Sequence, residues 1–167
     1  MKPSPASIIN ALAGTYSLVN ISSFNLTSGE RIHSTLGDQP LGLLTYTRVG
    51  QMSANMASTD PAVRPQAPTW PPKDNASDPL PEWILVGRHA MAYAAPFRLN
   101  ESVPATEEEG QLLHGPITVG SVPSMIGTVL VRNYRVFEME DGVYLRVGNP
   151  PNGLTTNDVW WKRVVKG

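Results

Sequence analysis

Pro40-Leu-Gly-Leu-Leu-Thr-Tyr-Thr-Arg-Val-Gly-Gln-Met-Ser-Ala-Asn-Met56 decides the fold. Two short runs, residues 41–47 and 51–56, flank Arg48-Val49-Gly50. Both runs alternate or carry β-formers, and Gly50 can take the left-handed conformation that a tight hairpin loop demands. Successive strand residues point to opposite faces, so Gly42, Leu44 and Tyr46 share one face and Leu43, Thr45 and Thr47 the other. Neither face is cleanly polar, which fits a hairpin with a cavity on one side and a second layer on the other. If Gly42, Leu44 and Tyr46 face inward, the cavity has a phenol available for chemistry. If they face outward, Thr45 and Thr47 line it instead.

Outward from the hairpin, turn signals and extended segments alternate. Residues 1–7 read as flexible; residues 7–13 can form one helical turn capped by Ser7 and ended by Gly14. Residues 15–23 alternate strongly, with Tyr16, Leu18 and Asn20 on one face and Val19 and Ile21 on the other. A second extended piece falls near residues 31–34. Prolines at 61, 65, 68, 71, 72, 79 and 81 exclude continuous helix or central strand from residues 58–82. A long irregular segment containing Trp70 suits a lid or rim, the alternative being a mobile insertion. Residues 82–92 can form a short helix, with Trp83, Val86 and Ala90 at helical spacing. Strands are expected over residues 91–99, 111–119 (irregular at Pro116), 126–140, 143–147 and 159–165, with Asp141-Gly142 as a turn. About eight strands, one short helix and a long proline-rich loop describe an all-β, eight-stranded antiparallel up-and-down barrel better than a sandwich. A barrel of that size encloses one small ligand.

Composition narrows the function classes. The 167 residues amount to one domain, residues 1–167, and enough chain to bury one core. With net charge −1 and 13 scattered basic residues, the chain lacks the electrostatic footprint of a nucleic-acid or anionic-membrane binder. With no cysteine there is no disulfide, thiol nucleophile or cysteine-ligated metal. The first residues lack the apolar core of a signal peptide, and no apolar run has the length of a membrane span. A cytoplasmic protein is therefore expected, and the sequons at Asn20, Asn25, Asn75 and Asn100 carry little weight without export. No Gly-x-Ser-x-Gly elbow and no glycine-rich phosphate loop occurs.

Four motifs resemble the lipocalin-like domain family: Gly14-Thr15-Tyr16-x-Leu18-Val19; Pro40-Leu-Gly-x-Leu-x-Tyr46-Thr47-x-x-Gly50-x-Met52-Ser53; Val131-Arg132-x-Tyr134; and Val159-Trp-Trp-Lys-Arg163-Val164. The resemblance implies an eight-stranded lipocalin-like barrel with an internal cavity. Family members, often from fungal secondary-metabolite biosynthesis, include proteins assigned to cyclisation, isomerisation or hydrolysis of reactive polyketide intermediates. Tyr16 stands where a Trp is usual, and the proline-rich length of residues 58–82 is also a departure. The resemblance further implies that Arg163 lies over Tyr16 at the closed end, a structural contact worth about 0.5–2 kcal/mol.

Candidate functional residues follow. His114 in Leu-Leu-His-Gly-Pro shares a face with Leu112 and, if that face is internal, can act as general acid or base. Tyr46 can hydrogen-bond or protonate a carbonyl. Arg132, on the same face as Tyr134, needs an anion if buried: a ligand carboxylate or enolate, or Asp158 or Glu138. Leu44, Met52, Met56, Trp70, Tyr93 and Tyr134 are the expected ligand contacts. Trp160 and Trp161 point to opposite sides, so one faces inward. His33, His89 and His114 match no metal spacing, so neither metal nor cofactor is expected. Two functions remain in view. One is a cofactor-independent cyclase or isomerase acting on a hydrophobic, polyketide-type molecule. The other is a non-catalytic carrier or sensor of such a molecule. A homodimer is an open option.

Overall fold

The computed structural model describes residues 3–72, 80–151 and 153–165. Among them the chain runs α1 (Pro5–Leu12), β1 (Gly14–Asn25), β2 (Arg31–Ile32), β3 (Leu41–Tyr46), β4 (Gln51–Ala57), α2 (Leu80–Arg88), β5 (Ala90–Leu99), β6 (Glu109–His114), β7 (Val119–Gly120), β8 (Leu130–Met139), β9 (Gly142–Gly148) and β10 (Thr155–Arg163). The expected hairpin is β3–β4, with Leu44 opposite Ala54 and Tyr46 opposite Met52. Gly50 takes φ 76°, and the Thr47 hydroxyl donates to the Gln51 carbonyl at 3.0 Å. Leu44 and Tyr46 are buried while Leu41 and Leu43 are exposed, so the inward alternative holds.

Eight strands pair antiparallel in the order β10-β9-β8-β6-β5-β4-β3-β1, and β10 pairs with β1 to close the barrel. The two-residue strands lie outside this ring, β2 beside β1 and β7 beside β5. Closure leaves no free edge in the ring, and inward side chains from all eight strands form one core.

Several local expectations are corrected. Helix α1 is capped by Ser4 rather than Ser7: the Ser4 hydroxyl accepts from the Ser7 N–H at 3.1 Å, with proline in the first turn. A register shift between Leu18 and Asn20 reverses the alternation of β1, so Ile21, not Asn20, joins Tyr16 and Leu18 inside. Residues 90–92 extend β5 instead of α2, because Ala90, Met91 and Ala92 pair with Ala57, Met56 and Asn55. Among the described residues the two α-helices, α1 and α2, fall where a helical turn near residues 7–13 and a short helix near residues 82–92 were expected. Strand β6 stops at His114, where Gly115 (φ 135°) and Pro116, which has no N–H to donate, turn the chain before β7. Strand β8 starts only at Leu130, after a tight turn over residues 123–125. Strand β10 starts earlier than expected, because residues 155–158 also pair with β1.

One end of the barrel is plugged. Ile8 and Leu12 of α1 are buried in the core, and the helix ends there with carbonyls left over. The Tyr16 hydroxyl donates to the Leu12 carbonyl at 2.7 Å, and Arg163 Nη2 donates to the Ala11 carbonyl and to the Tyr16 hydroxyl. The guanidinium also lies 5.2 Å from the Tyr16 ring centroid. Arg163 and Tyr16 thus take the closed-end positions expected of them. Their task is more specific than a stacked pair, since they also satisfy the terminal carbonyls of α1.

Candidate functional site

With α1 closing one end, the space inside the barrel opens at the other. The cavity is about 450 Å³. Its walls are apolar: Ile21 of β1, Leu44 of β3, Met56 of β4, Met91 of β5, Val147 of β9, and Val159 and Trp161 of β10. The rim is built by Ser34, Thr35 and Leu36 before β3, Gly87 and Arg88 of α2, and Asn149 after β9. The His89 Nδ1–H donates to the Thr35 carbonyl and so ties the end of α2 to the opposite rim segment. His89 is therefore a rim tether.

Deeper in, four strands contribute one polar cluster. His114 on β6 is 1% exposed. Its Nε2 is 2.8 Å from the Tyr46 hydroxyl on β3, and its Nδ1 is 3.3 Å from the Tyr93 hydroxyl on β5. Arg132 on β8 completes the group, with Nη1 donating to its neighbour's Val131 carbonyl at 3.0 Å and to the Asn149 side-chain oxygen. Tyr46 is held by an edge-on contact with Tyr16 (6.4 Å between centroids) and a tilted one with Phe97 (4.6 Å). The cluster is thus braced from the closed end upward.

Burial keeps the two phenols and the imidazole of this cluster uncharged. Loss of water drives His114 down to about 3, and the Arg132 charge pushes the same way. Burial raises the Tyr46 phenol well above its ordinary value; neighbouring Tyr93 and Tyr16 add to the rise and Arg132 opposes it. Burial raises Tyr93 as well, with the facing Arg132 guanidinium pulling it back. At neutral pH the group consists of two phenols, one uncharged imidazole and one guanidinium. An imidazole in that state is not the free-standing base near neutral pH that the sequence suggests. It has one N–H and one lone pair, so it donates to one tyrosine and accepts from the other.

Of the expected site residues, Tyr46, His114 and Arg132 come together, and Leu44, Met56 and Tyr93 line the same cavity. Three do not join them. Met52 is buried in the core beside Phe97 and Ala95, below the cavity. Tyr134 points inward, but near the closed end, where its hydroxyl donates to the Thr106 carbonyl at 2.5 Å. Trp70 is 86% exposed. None of residues 58–72 lines the cavity, so its rim is made by residues 34–36 and α2; residues 73–79 of the expected lid lie outside the described residues. Neither carboxylate suggested for Arg132 pairs with it: Asp158 is 3.8 Å from Arg146, on the outer surface, and Glu138 is exposed. Trp161 is the inward tryptophan, at 3% exposure, while Trp160 stacks outside on Phe137. Arg88, Met91 and Asn149 escaped the sequence reading. Only Met91 had a usable signal, its alternation with Tyr93.

The lipocalin-like domain model matches residues 13–164, and with them all eight barrel strands. The chain belongs to the lipocalin-like domain family. The family places small hydrophobic ligands in such barrels, and the apolar walls here fit that use. No curated protein matches the chain by sequence. Among solved structures, a redesigned beta barrel is similar at 8% identity and a TM-score of 0.39, over 99% of this chain and 100% of its own. Within the described residues no group of three or more histidine or acidic side chains is arranged to hold a metal, and no helix is long and apolar enough to cross a membrane.

Proposed function

We propose that this lipocalin-like barrel is a cofactor-independent isomerase or cyclase, acting in the cytoplasm on a hydrophobic, oxygenated small molecule of polyketide type. The observation that carries this reading is the Tyr46–His114–Tyr93 chain beside Arg132 among mainly apolar cavity walls. A carrier needs apolar walls and has no use for a buried, desolvated proton relay.

The relay works without charge separation. In one tautomer Nδ1–H donates to the Tyr93 oxygen, Nε2 accepts from Tyr46, and the Tyr93 proton is free to meet a ligand oxygen. In the other the roles reverse, and Tyr46 is free. When the Tyr93 proton moves to a ligand carbonyl, the Nδ1 proton replaces it and the Tyr46 proton moves to Nε2. The Tyr46 oxygen then takes a proton from ligand carbon. Each residue in the chain gains one proton as it gives one, the imidazole is left in its other tautomer, and a ketone becomes its enol. The guanidinium of Arg132 stabilises the developing oxyanion, and the walls hold the substrate in a reactive conformation.

Hydrogen–deuterium exchange at the α-carbon of bulky aryl ketones, followed by NMR in deuterated buffer, tests this directly. The wild-type protein should accelerate exchange. Tyr46→Phe and His114→Gln should each remove most of that acceleration while ketone binding persists. Binding without acceleration by the wild type would return the protein to the carrier class.

A further inference from the structure

We infer that the ligand of this cavity is an organic anion: an apolar body bearing one carboxylate or comparably acidic oxygen, seated against Arg132 and guided in by Arg88. This inference rests on the reading of the cavity as a small-molecule site and narrows the class of molecule. The cavity lining contains two guanidinium groups, Arg88 and Arg132, and among the described residues no Asp or Glu. The chain as a whole carries net charge −1, so the positive sign is a local property of this site.

Arg132 lacks the carboxylate partner that Arg135, Arg146 and Lys162 of the barrel wall each have, and unlike Arg163, which caps α1 at the closed end, it faces the cavity. Among the described residues the ion pairs are Arg31–Asp38, Arg135–Glu109, Arg146–Asp158 and Lys162–Asp141, and none of them involves Arg132 or Arg88. Arg132 Nη1 donates to the Val131 carbonyl and the Asn149 amide oxygen, and the guanidinium also hydrogen-bonds the Tyr93 hydroxyl; all three acceptors are neutral. They orient the guanidinium without cancelling its charge. The remaining groups of the cluster do not cancel it either, since both phenols and the imidazole are neutral at physiological pH. A half-buried cation among apolar walls favours an anion that brings its own apolar body. Arg88, exposed on the rim, adds a longer-range attraction that salt weakens.

A matched pair of dyes separates charge from shape: 1-anilinonaphthalene-8-sulfonate and the neutral N-phenyl-1-naphthylamine share one aromatic body. Their fluorescence on titration with the intact protein gives both affinities. The sulfonate should bind more than about tenfold tighter than the neutral dye, the gap expected of a desolvated charge-assisted contact. Arg132→Gln should erase that preference by weakening the sulfonate, and continued binding of the neutral dye reports that the cavity is intact. Arg132→Lys should keep part of it. Arg88→Gln should reduce it modestly and weaken its salt dependence. Arg135→Gln, on the outer surface, should do nothing. Equal binding of the two dyes by the wild type would overturn the anion assignment and leave the cavity reading standing. A preference that survives Arg132→Gln, or that falls with Arg135→Gln, would place the sulfonate outside the cavity and overturn the assignment too. Failure of both dyes to bind would overturn the cavity reading along with it.

Discussion

Acidification should expose the cost of keeping His114 neutral. The unfolded chain presents this imidazole at its ordinary value of 6.5, whereas burial in the folded barrel drives it down to about 3. Between those values the unfolded state binds a proton that the folded state refuses, so stability falls as pH falls and is restored as pH rises above the unfolded value. From about pH 7.5 to pH 5 the difference spans roughly 1.5 pH units of uncompensated titration, or about 2 kcal/mol. Below the folded value the full separation would amount to about 5 kcal/mol. Urea denaturation of the wild type and of His114→Gln at both pH values isolates this contribution, because the carboxylates, His33 and His89 cancel in the difference. The wild type should lose about 2 kcal/mol more than the variant. Equal losses would refute the idea that His114 stays uncharged. If the variant does not fold, the ring nitrogens of the wild type can be titrated by NMR, and protonation with a midpoint near that of a free imidazole would refute it equally.

The closed end offers further tests. Tyr16→Phe removes both the donor to Leu12 and the acceptor for Arg163, and should lower stability by about 1–3 kcal/mol in chemical denaturation; a variant as stable as the wild type would make that polar lock ornamental. Leu12→Ala should cost about 2–5 kcal/mol, because the α1 plug is fully buried. Gly42→Ala places a Cβ 2.7 Å from the Asn55 carbonyl and 2.9 Å from Met56 Cγ, and a lowered unfolding midpoint, equivalent to about 1–3 kcal/mol, should report the clash. Trp70→Ala should leave dye affinity unchanged, since that side chain is exposed and lines no part of the cavity; a large loss would restore the lid reading.

Alternation made much of the barrel legible. It groups Leu44 with Tyr46 on one face of β3 without saying which face is inward, carries a signal for Met91 beside Tyr93 that the sequence reading passed over, and requires one of Trp160 and Trp161 to turn inward. It fails at β1, where the shift after Leu18 swaps Ile21 for Asn20, because a bulge inserts one residue without a local sequence signal. It also says nothing about depth. Met52 and Tyr134 point inward as expected, yet they lie below the cavity. Height along the axis is set by the stagger of neighbouring strands, a property of the closed sheet that no single strand encodes.

The same stagger brings the Tyr46, Tyr93, His114 and Arg132 side chains, from four different strands, close enough to form one cluster. Their sequence neighbours are Thr45 and Thr47, Ala92 and Ala94, Leu113 and Gly115, and Val131 and Asn133, which give no hint of a shared site. Once assembled, the cluster is difficult to explain as packing. A buried histidine held uncharged, and a cavity-facing arginine left without a carboxylate, are both disfavoured in a barrel whose core is filled mainly by apolar and aromatic side chains. An apolar residue at either position would be the more stable choice. Polar groups that weaken the fold and converge on one cavity are best understood by what enters it, and the charge on Arg132 indicates that the molecule carries the missing anion.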